Sequence, residues 1–406
     1  MKKVCYLLIL TNIIITEGCK KRYSPPAIAA AGSYLVVEGV INSGSDSTII
    51  KLSKTVKISN GTAINPVTGA AVAVESDQNV VFPLTETTSG KYVSAGLNLN
   101  SSHTYRLSIR TSNEQYNSDY VPVLNSPPID SVYFKVIDTG LTVYSATHDP
   151  ANIIKYYRWD YTETWIIHPP FSSGFISNGD TVLTRTPAQK VYTCWRTDTS
   201  GVIVLGSTAK LAKDVVFDNP ITSLTALSPK IANEYSILVR QYALTADAYN
   251  FWINLKKNTE QLGSIFDAQP SQINGNIHST TNPTEPVIGY VSVGSTTSQR
   301  IFISTAQLPA FGNPNENYPP GCIIMPNCCL YAFVPPGSNG PPINQVNEFI
   351  NFNKGAPVNG ALIPIDPIAP PQSPILGYTA SEPICADCTL QKGASNVQPA
   401  YWIFLR

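Results

Sequence analysis

Apolar and polar positions alternate in short runs along most of this chain, with turn residues between them. Tyr34 to Ile41 is rich in β-branched residues, and Thr48 to Ser53 and Ala71 to Glu75 alternate. Val80 to Phe82, Gly90 to Val93 and His103 to Arg110 follow, the last placing Tyr105, Leu107 and Ile109 on one face. A period of two is the signature of strands with one buried face. Asn60-Gly61, Thr68-Gly69 and Ser89-Gly90 supply turns between the runs. Short strands without helical periodicity predict a β-sandwich of immunoglobulin-like or prealbumin-like type over residues 33–126.

Residues 127–406 read as a larger β-rich domain, opened by Pro127-Pro128. Its most informative strand is Tyr156 to Trp165. Tyr157, Trp159, Tyr161 and Trp165 share one face, and Arg158, Asp160, Thr162 and Thr164 the other. The aromatic row suits either a carbohydrate-stacking platform or the inner face of a sandwich, and core is the preferred reading. Tyr235 to Gln241 and Val287 to Val293 alternate similarly. One amphipathic helix is expected, with Thr245 as N-cap and Asp247 in the first turn, where the helix dipole favours an acid. Trp252, Leu255, Leu262 and Phe266 recur at helical spacing, and Gly263 is a candidate stop. The fold class is therefore all-β, with two unequal domains and one helix.

Composition sharpens this picture. The chain has 406 residues and balances 27 Lys+Arg against 27 Asp+Glu. Balance at this level excludes a broad basic field for nucleic acid. Charged residues make up only 13%, about half of the usual ~25%. The gap is deepest in 309–374, which holds 15 of the 33 prolines and, as charged residues, only Glu316, Glu348, Lys354 and Asp366. This segment is expected to be a long proline-rich loop with a functional surface.

The N-terminus carries an address. Lys2 and Lys3 precede an apolar run from Val4 to Ile15, too short for a stable bilayer span. Gly18 then precedes Cys19, which fits a lipoprotein signal over 1–19 in which Cys19 is acylated. Residues 20–32, with Pro25-Pro26 and small residues, read as a tether. A lipid anchor makes the membrane a partner without any spanning segment.

Six further cysteines remain: Cys194, Cys322, Cys328, Cys329, Cys385 and Cys388. An even set in an exported chain points to disulfides. Adjacent cysteines fit disulfide geometry poorly, so Cys328 and Cys329 are expected to reach separate partners and staple the proline-rich segment to the C-terminal one. Cys385-Ala-Asp-Cys388 also has the spacing of a zinc or redox motif. Zinc would need two more ligands, from Cys322, Cys328 or Cys329, and redox chemistry wants a βαβ setting that the pattern lacks. The disulfide framework is preferred over both.

No catalytic signature is present: no GxSxG, no HExxH, no GxxxxGK[ST]. His103, His148, His168 and His278 are dispersed. Asp160 and Glu163 fall on opposite strand faces and do not form a carboxylate pair. The expectation is a protein with no catalytic residues, metal or cofactor. The polar segment 275–286, with Asn276, His278, Asn282 and Glu285, is a candidate partner or ligand surface beside the proline-rich loop.

Several segments together resemble one family. They include Leu35-Val36-Val37-Glu38-Gly39, Gly90-Lys91-Tyr92, Tyr156 to Trp165, Cys194-Trp195, Gln241 to Tyr249, Ile265 to Val293 and Cys385 to Trp402. Their order and spacing resemble the lipoproteins called domain of unknown function 4249, widespread in Bacteroidota. The resemblance implies an outer-membrane lipoprotein, often encoded beside a TonB-dependent receptor, and no established catalytic residues. The leading expectation is thus a non-catalytic accessory or binding partner of a TonB-dependent nutrient transporter. A glycan-binding or adhesin-type surface module and a hydrolase of unknown type are the alternatives.

Overall fold

The computed structural model describes residues 33–56, 64–260, 275–311, 321–351 and 361–404. The signal, Cys19, the tether and helix positions Leu262, Gly263 and Phe266 lie outside the described residues, as do 312–320 and 352–360 of the proline-rich segment.

The first body is a curled sheet. Along it lie Ile277–Ser279, Gln115–Ser118, Thr104–Arg110, Ala71–Ser76, Val81–Thr88, Lys91–Ser94, Thr48–Lys54, Leu35–Asn42 and Val293–Gly294. The Val81–Thr88 strand pairs with both the 71–76 and 91–94 strands, so the two halves curl around one core. Ile41, Ile50, Val74, Leu107 and Ile109 are fully buried there. The alternation in the first hundred residues is thus realised as the expected all-β body.

Both ends of this sheet come from much later in the chain. The Ile277–Ser279 strand pairs with Gln115–Ser118, and Val293–Gly294 runs parallel to Leu35–Asn42. Between them Val37 donates its N–H to Ile288 at 2.8 Å, and Ile288 donates to Leu35 at 2.9 Å. Asn276 holds the returning segment in shape. It donates its amide to the Val291 carbonyl at 2.9 Å and accepts the Val291 N–H at 2.8 Å.

The second body packs a three-stranded sheet, Ile129–Ile137, Gly140–His148 and Val215–Thr225, on a six-stranded one. The larger sheet runs Thr296–Ser304, Glu234–Leu244, Tyr156–Ile167, Cys194–Thr199 and Ala394–Ser395, with Val204–Ser207 also on the 156–167 strand. Tyr157, Trp159, Tyr161 and Trp165 are buried between the sheets, so the aromatic row is core. Three of the four carry a buried polar tip that finds a partner, as burial requires. Tyr157 donates to Asp214, Tyr161 to Thr222 at 3.2 Å, and the Trp159 indole to Gln241 at 3.0 Å. Glu163, only 4% exposed, accepts from the Tyr235 hydroxyl at 2.6 Å and from the Lys230 ammonium.

The proline-rich segment departs from the expected loop. It contributes the two edge strands of a three-stranded sheet ordered Met325–Leu330, Gly377–Ser381, Ile363–Ile368, whose central strand lies just beyond the segment. Pro326, Pro364 and Pro367 lie on the two edge strands, and the central Gly377–Ser381 strand has no proline. Edge strands tolerate a missing N–H, which a central strand does not. A hairpin of Phe175–Ser177 and Val182–Thr184 packs beside it, with Phe175 against Tyr378 at 5.4 Å between ring centroids.

Disulfides join this module to the rest: Cys194–Cys388 and Cys322–Cys385. Both cysteines of the Cys385-Ala-Asp-Cys388 motif are thereby spent. The expectation for Cys328 and Cys329 is corrected, because they bond to each other. The other four cysteines satisfy one another, which leaves this pair only itself. The register shift between Met325 and Cys329 against the central strand accommodates the adjacent pair.

Candidate functional site: a cleft between the two bodies

The outward face of the 156–167 strand, the helix Ala246–Glu260 and the Leu35–Asn42 strand enclose a cleft of about 830 Å³. This lies within the range usual for small-molecule sites. The helix is placed by its cap: Thr245 Oγ1 accepts the N–H of Ala248 at 3.1 Å. Ala248 and Phe251 anchor its buried side. Trp252 and Leu255 turn toward the cleft, and Phe251 stacks obliquely on Tyr290 at 5.5 Å between centroids.

The deep wall is polar and aromatic. Arg158 lies with its Cζ 4.2 Å from the Tyr242 ring centroid and 4.4 Å from that of Trp252. Such cation–aromatic contacts strengthen when desolvated. Arg240 donates its Nε–H to Asp160 at 2.6 Å and both terminal nitrogens to Thr162 Oγ1 at 3.1 Å. Burial alone would lower the Arg240 pKa, but Asp160 and Tyr242 together outweigh it and hold the guanidinium above its ordinary value. Burial, aided by Asp160, pushes the Tyr242 hydroxyl up to about 12. The wall thus brings together two guanidinium groups, one carboxylate and the Tyr242 phenol. Glu38, Asp46 and Lys51 stand exposed at the rim.

The residues singled out in 275–286 divide. Asn276 is buried and committed to Val291. Glu285 accepts the Tyr116 hydroxyl at 3.0 Å. His278 and Asn282 are exposed, with His278 Nε2 3.4 Å from Asp119. The other histidines are scattered as expected: His103 beside Asp77, His148 beside Asp130, and His168 stacked on Tyr192 at 4.6 Å. None of them lines the cleft.

Sequence reasoning passed over Arg158, Asp160, Arg240, Tyr242, Trp252 and Tyr290 as a group. The usable signal was the polar alternate face of the aromatic strand, matched by Arg240 and Tyr242 on the neighbouring strand. Arg158 sits opposite Tyr242, and Asp160 opposite Arg240. Directly opposed residues on one sheet face are neighbours.

No curated protein matches the chain. Among solved structures, the Yersinia pseudotuberculosis adhesin InvE is similar at 15% identity and a TM-score of 0.14. That match covers 52% of this chain and 55% of the adhesin chain, so this chain spans about half of that chain's length. The family described as Domain of unknown function (DUF4249) matches residues 20–300, from the tether through the returning strands and the start of the Thr296–Ser304 strand. With more than half of its length so matched, the chain belongs to the DUF4249 family.

Proposed function

We propose that this protein is a lipid-anchored binding module that holds a small ligand in the cleft and works beside an outer-membrane TonB-dependent transporter. The cleft carries the reading: a preformed concavity of about 830 Å³ walled by aromatic rings and a few convergent charged groups. The signal ending at Cys19 supports the anchor, and no helix among the described residues is long and apolar enough to cross a membrane. Purification of the tagged protein from outer membranes in mild detergent is expected to recover a TonB-dependent receptor. Its absence from every such preparation would remove the transporter from the proposal.

A glycan-binding surface module is the second reading, favoured by one observation. On the outer face of the three-stranded sheet, Tyr133 and Tyr144 stack at 5.9 Å beside Phe217, which is 76% exposed. Loss of glycan-array binding on Phe217→Ala, with Trp252→Ala unaffected, would move the site to that face.

A further inference from the structure

We propose that the cleft selects a ligand bearing a single carboxylate, received by Arg158. This rests on the reading of the cleft as a binding site and names the chemistry it takes.

The two guanidiniums of the deep wall are not equivalent. Arg240 is committed, with all three nitrogens bonded to Asp160 and Thr162. Arg158 is not. Tyr242 and Trp252 pack against its guanidinium, and among the described residues its one ionic neighbour is Asp160 at 3.7 Å. That separation is beyond a good hydrogen bond. The side chain is nonetheless only 15% exposed. A largely desolvated guanidinium, oriented by rings and with N–H groups unspent, matches the planar fork of a carboxylate. The rings fix its plane before ligand arrives, so little freedom is left to lose on binding.

Charge sets the valence of the ligand. On the deep wall, Arg158 and Arg240 against Asp160 leave one positive charge. At the rim, Glu38 and Asp46 against Lys51 leave one negative charge. A monoanion neutralises the wall. A phosphate monoester, carrying about −1.5 to −2 at neutral pH, would exceed the wall's charge and be repelled at the rim. The remaining lining, including Val37, Phe251, Leu255, Ile288 and Tyr290, asks for an uncharged body with apolar faces.

Matched probe pairs test this. Glucuronate against glucose, and N-acetylphenylalanine against its amide, differ chiefly in the carboxylate; inorganic phosphate is the third arm. Affinity is read by calorimetry, and location by the ¹⁵N-indole resonance of Trp252. The acid of at least one pair is expected to bind about tenfold or more tightly than its neutral partner. Arg158→Met, which keeps an apolar stem against the rings, is expected to abolish that preference, and Arg158→Lys to keep part of it. Equal affinity within both pairs, tighter binding of phosphate, or a preference that survives Arg158→Met overturns the carboxylate assignment. Probes that shift Trp252 without charge preference would leave the cleft reading standing while this proposal fails. No shift of Trp252 by any probe would overturn both. Should Arg158→Met not fold, Arg158→Lys against wild type decides, and a preference undiminished in Arg158→Lys overturns the assignment.

Discussion

Gln241 accepts the indole N–H of Trp159 at 3.0 Å and shares its own amide among Ser126, Pro127 and Thr147. One fully buried side chain thus ties the aromatic strand to the segment that leads out of the first body. Gln241→Leu leaves the Trp159 indole N–H without its acceptor in the core, while the Pro127 carbonyl keeps the Thr297 hydroxyl at 3.0 Å. An orphaned buried group costs ~1–3 kcal/mol, so a loss on the order of 2 kcal/mol is expected. Guanidinium denaturation with an unchanged slope would measure it. A change below about 0.5 kcal/mol, typical of a neutral surface substitution, would mean that water replaces the amide.

The two long-range disulfides should differ in worth. Cys194–Cys388 spans 194 residues and Cys322–Cys385 spans 63. Closure entropy grows with the logarithm of loop length, so replacing the first pair by alanine should cost about 1 kcal/mol more than replacing the second. Parallel denaturation of the Cys194→Ala/Cys388→Ala and Cys322→Ala/Cys385→Ala proteins checks the order. The reverse order would show that strain or local packing outweighs chain entropy.

The contrast between strand and cleft shows what a linear pattern carries. Alternation along 156–165 placed Trp159 in the core and Arg158 on the other face, because strand geometry fixes both at once. It did not show that Trp252 would come to rest on Arg158, or that Ile288 and Tyr290 would close the opposite wall. The second of these depends on residues 288–294 returning to the Leu35–Asn42 strand, a pairing between segments more than two hundred residues apart. The cysteines follow the same logic. Spacing gave an even set, but only the fold decided that Cys194 meets Cys388 and leaves Cys328 to Cys329. Proline density in 309–374 suggested a loop, and the edge-strand positions of Pro326, Pro364 and Pro367 are visible only once strand order is known.

His148 and His168 should respond to pH in opposite senses. The hydrogen bond and charge of Asp130 raise the His148 pKa above its ordinary value. Its contribution to stability is present in full below the unfolded value, near 6.5, and is lost as pH rises through the folded one. Burial against Tyr192 and neighbours lowers the pKa of His168. Its contribution is present above the unfolded value and lost as pH falls toward the folded one. Ring proton NMR should show His148 titrating above His168. Asp130→Asn should move His148 down and leave His168 in place. Coincident titrations would refute both assignments.

Gly289 tests how the returning segment shapes the cleft. Its φ is +147°, and a Cβ built there would lie 2.3 Å from the Val37 carbonyl oxygen. Both the backbone conformation and the close approach reject a side chain. Gly289→Ala must push 288–290 away from the Leu35–Asn42 strand, at a cost on the order of 1–3 kcal/mol. The strain should appear first where the two segments bond. The Val37 amide, which donates to Ile288 at 2.8 Å, and the Ile41 amide, which donates to Ser292 at 3.0 Å, should lose hydrogen-exchange protection. Gly69→Ala is the matched control: its φ of +69° is also left-handed, but a Cβ there meets nothing within 4 Å. It should lower stability slightly and leave Val37 protected. Since Ile288, Gly289 and Tyr290 line the cleft, Gly289→Ala should also weaken any ligand that Trp252 reports. Retained protection at Val37 would show that this wall yields without cost and does not set the shape of the site.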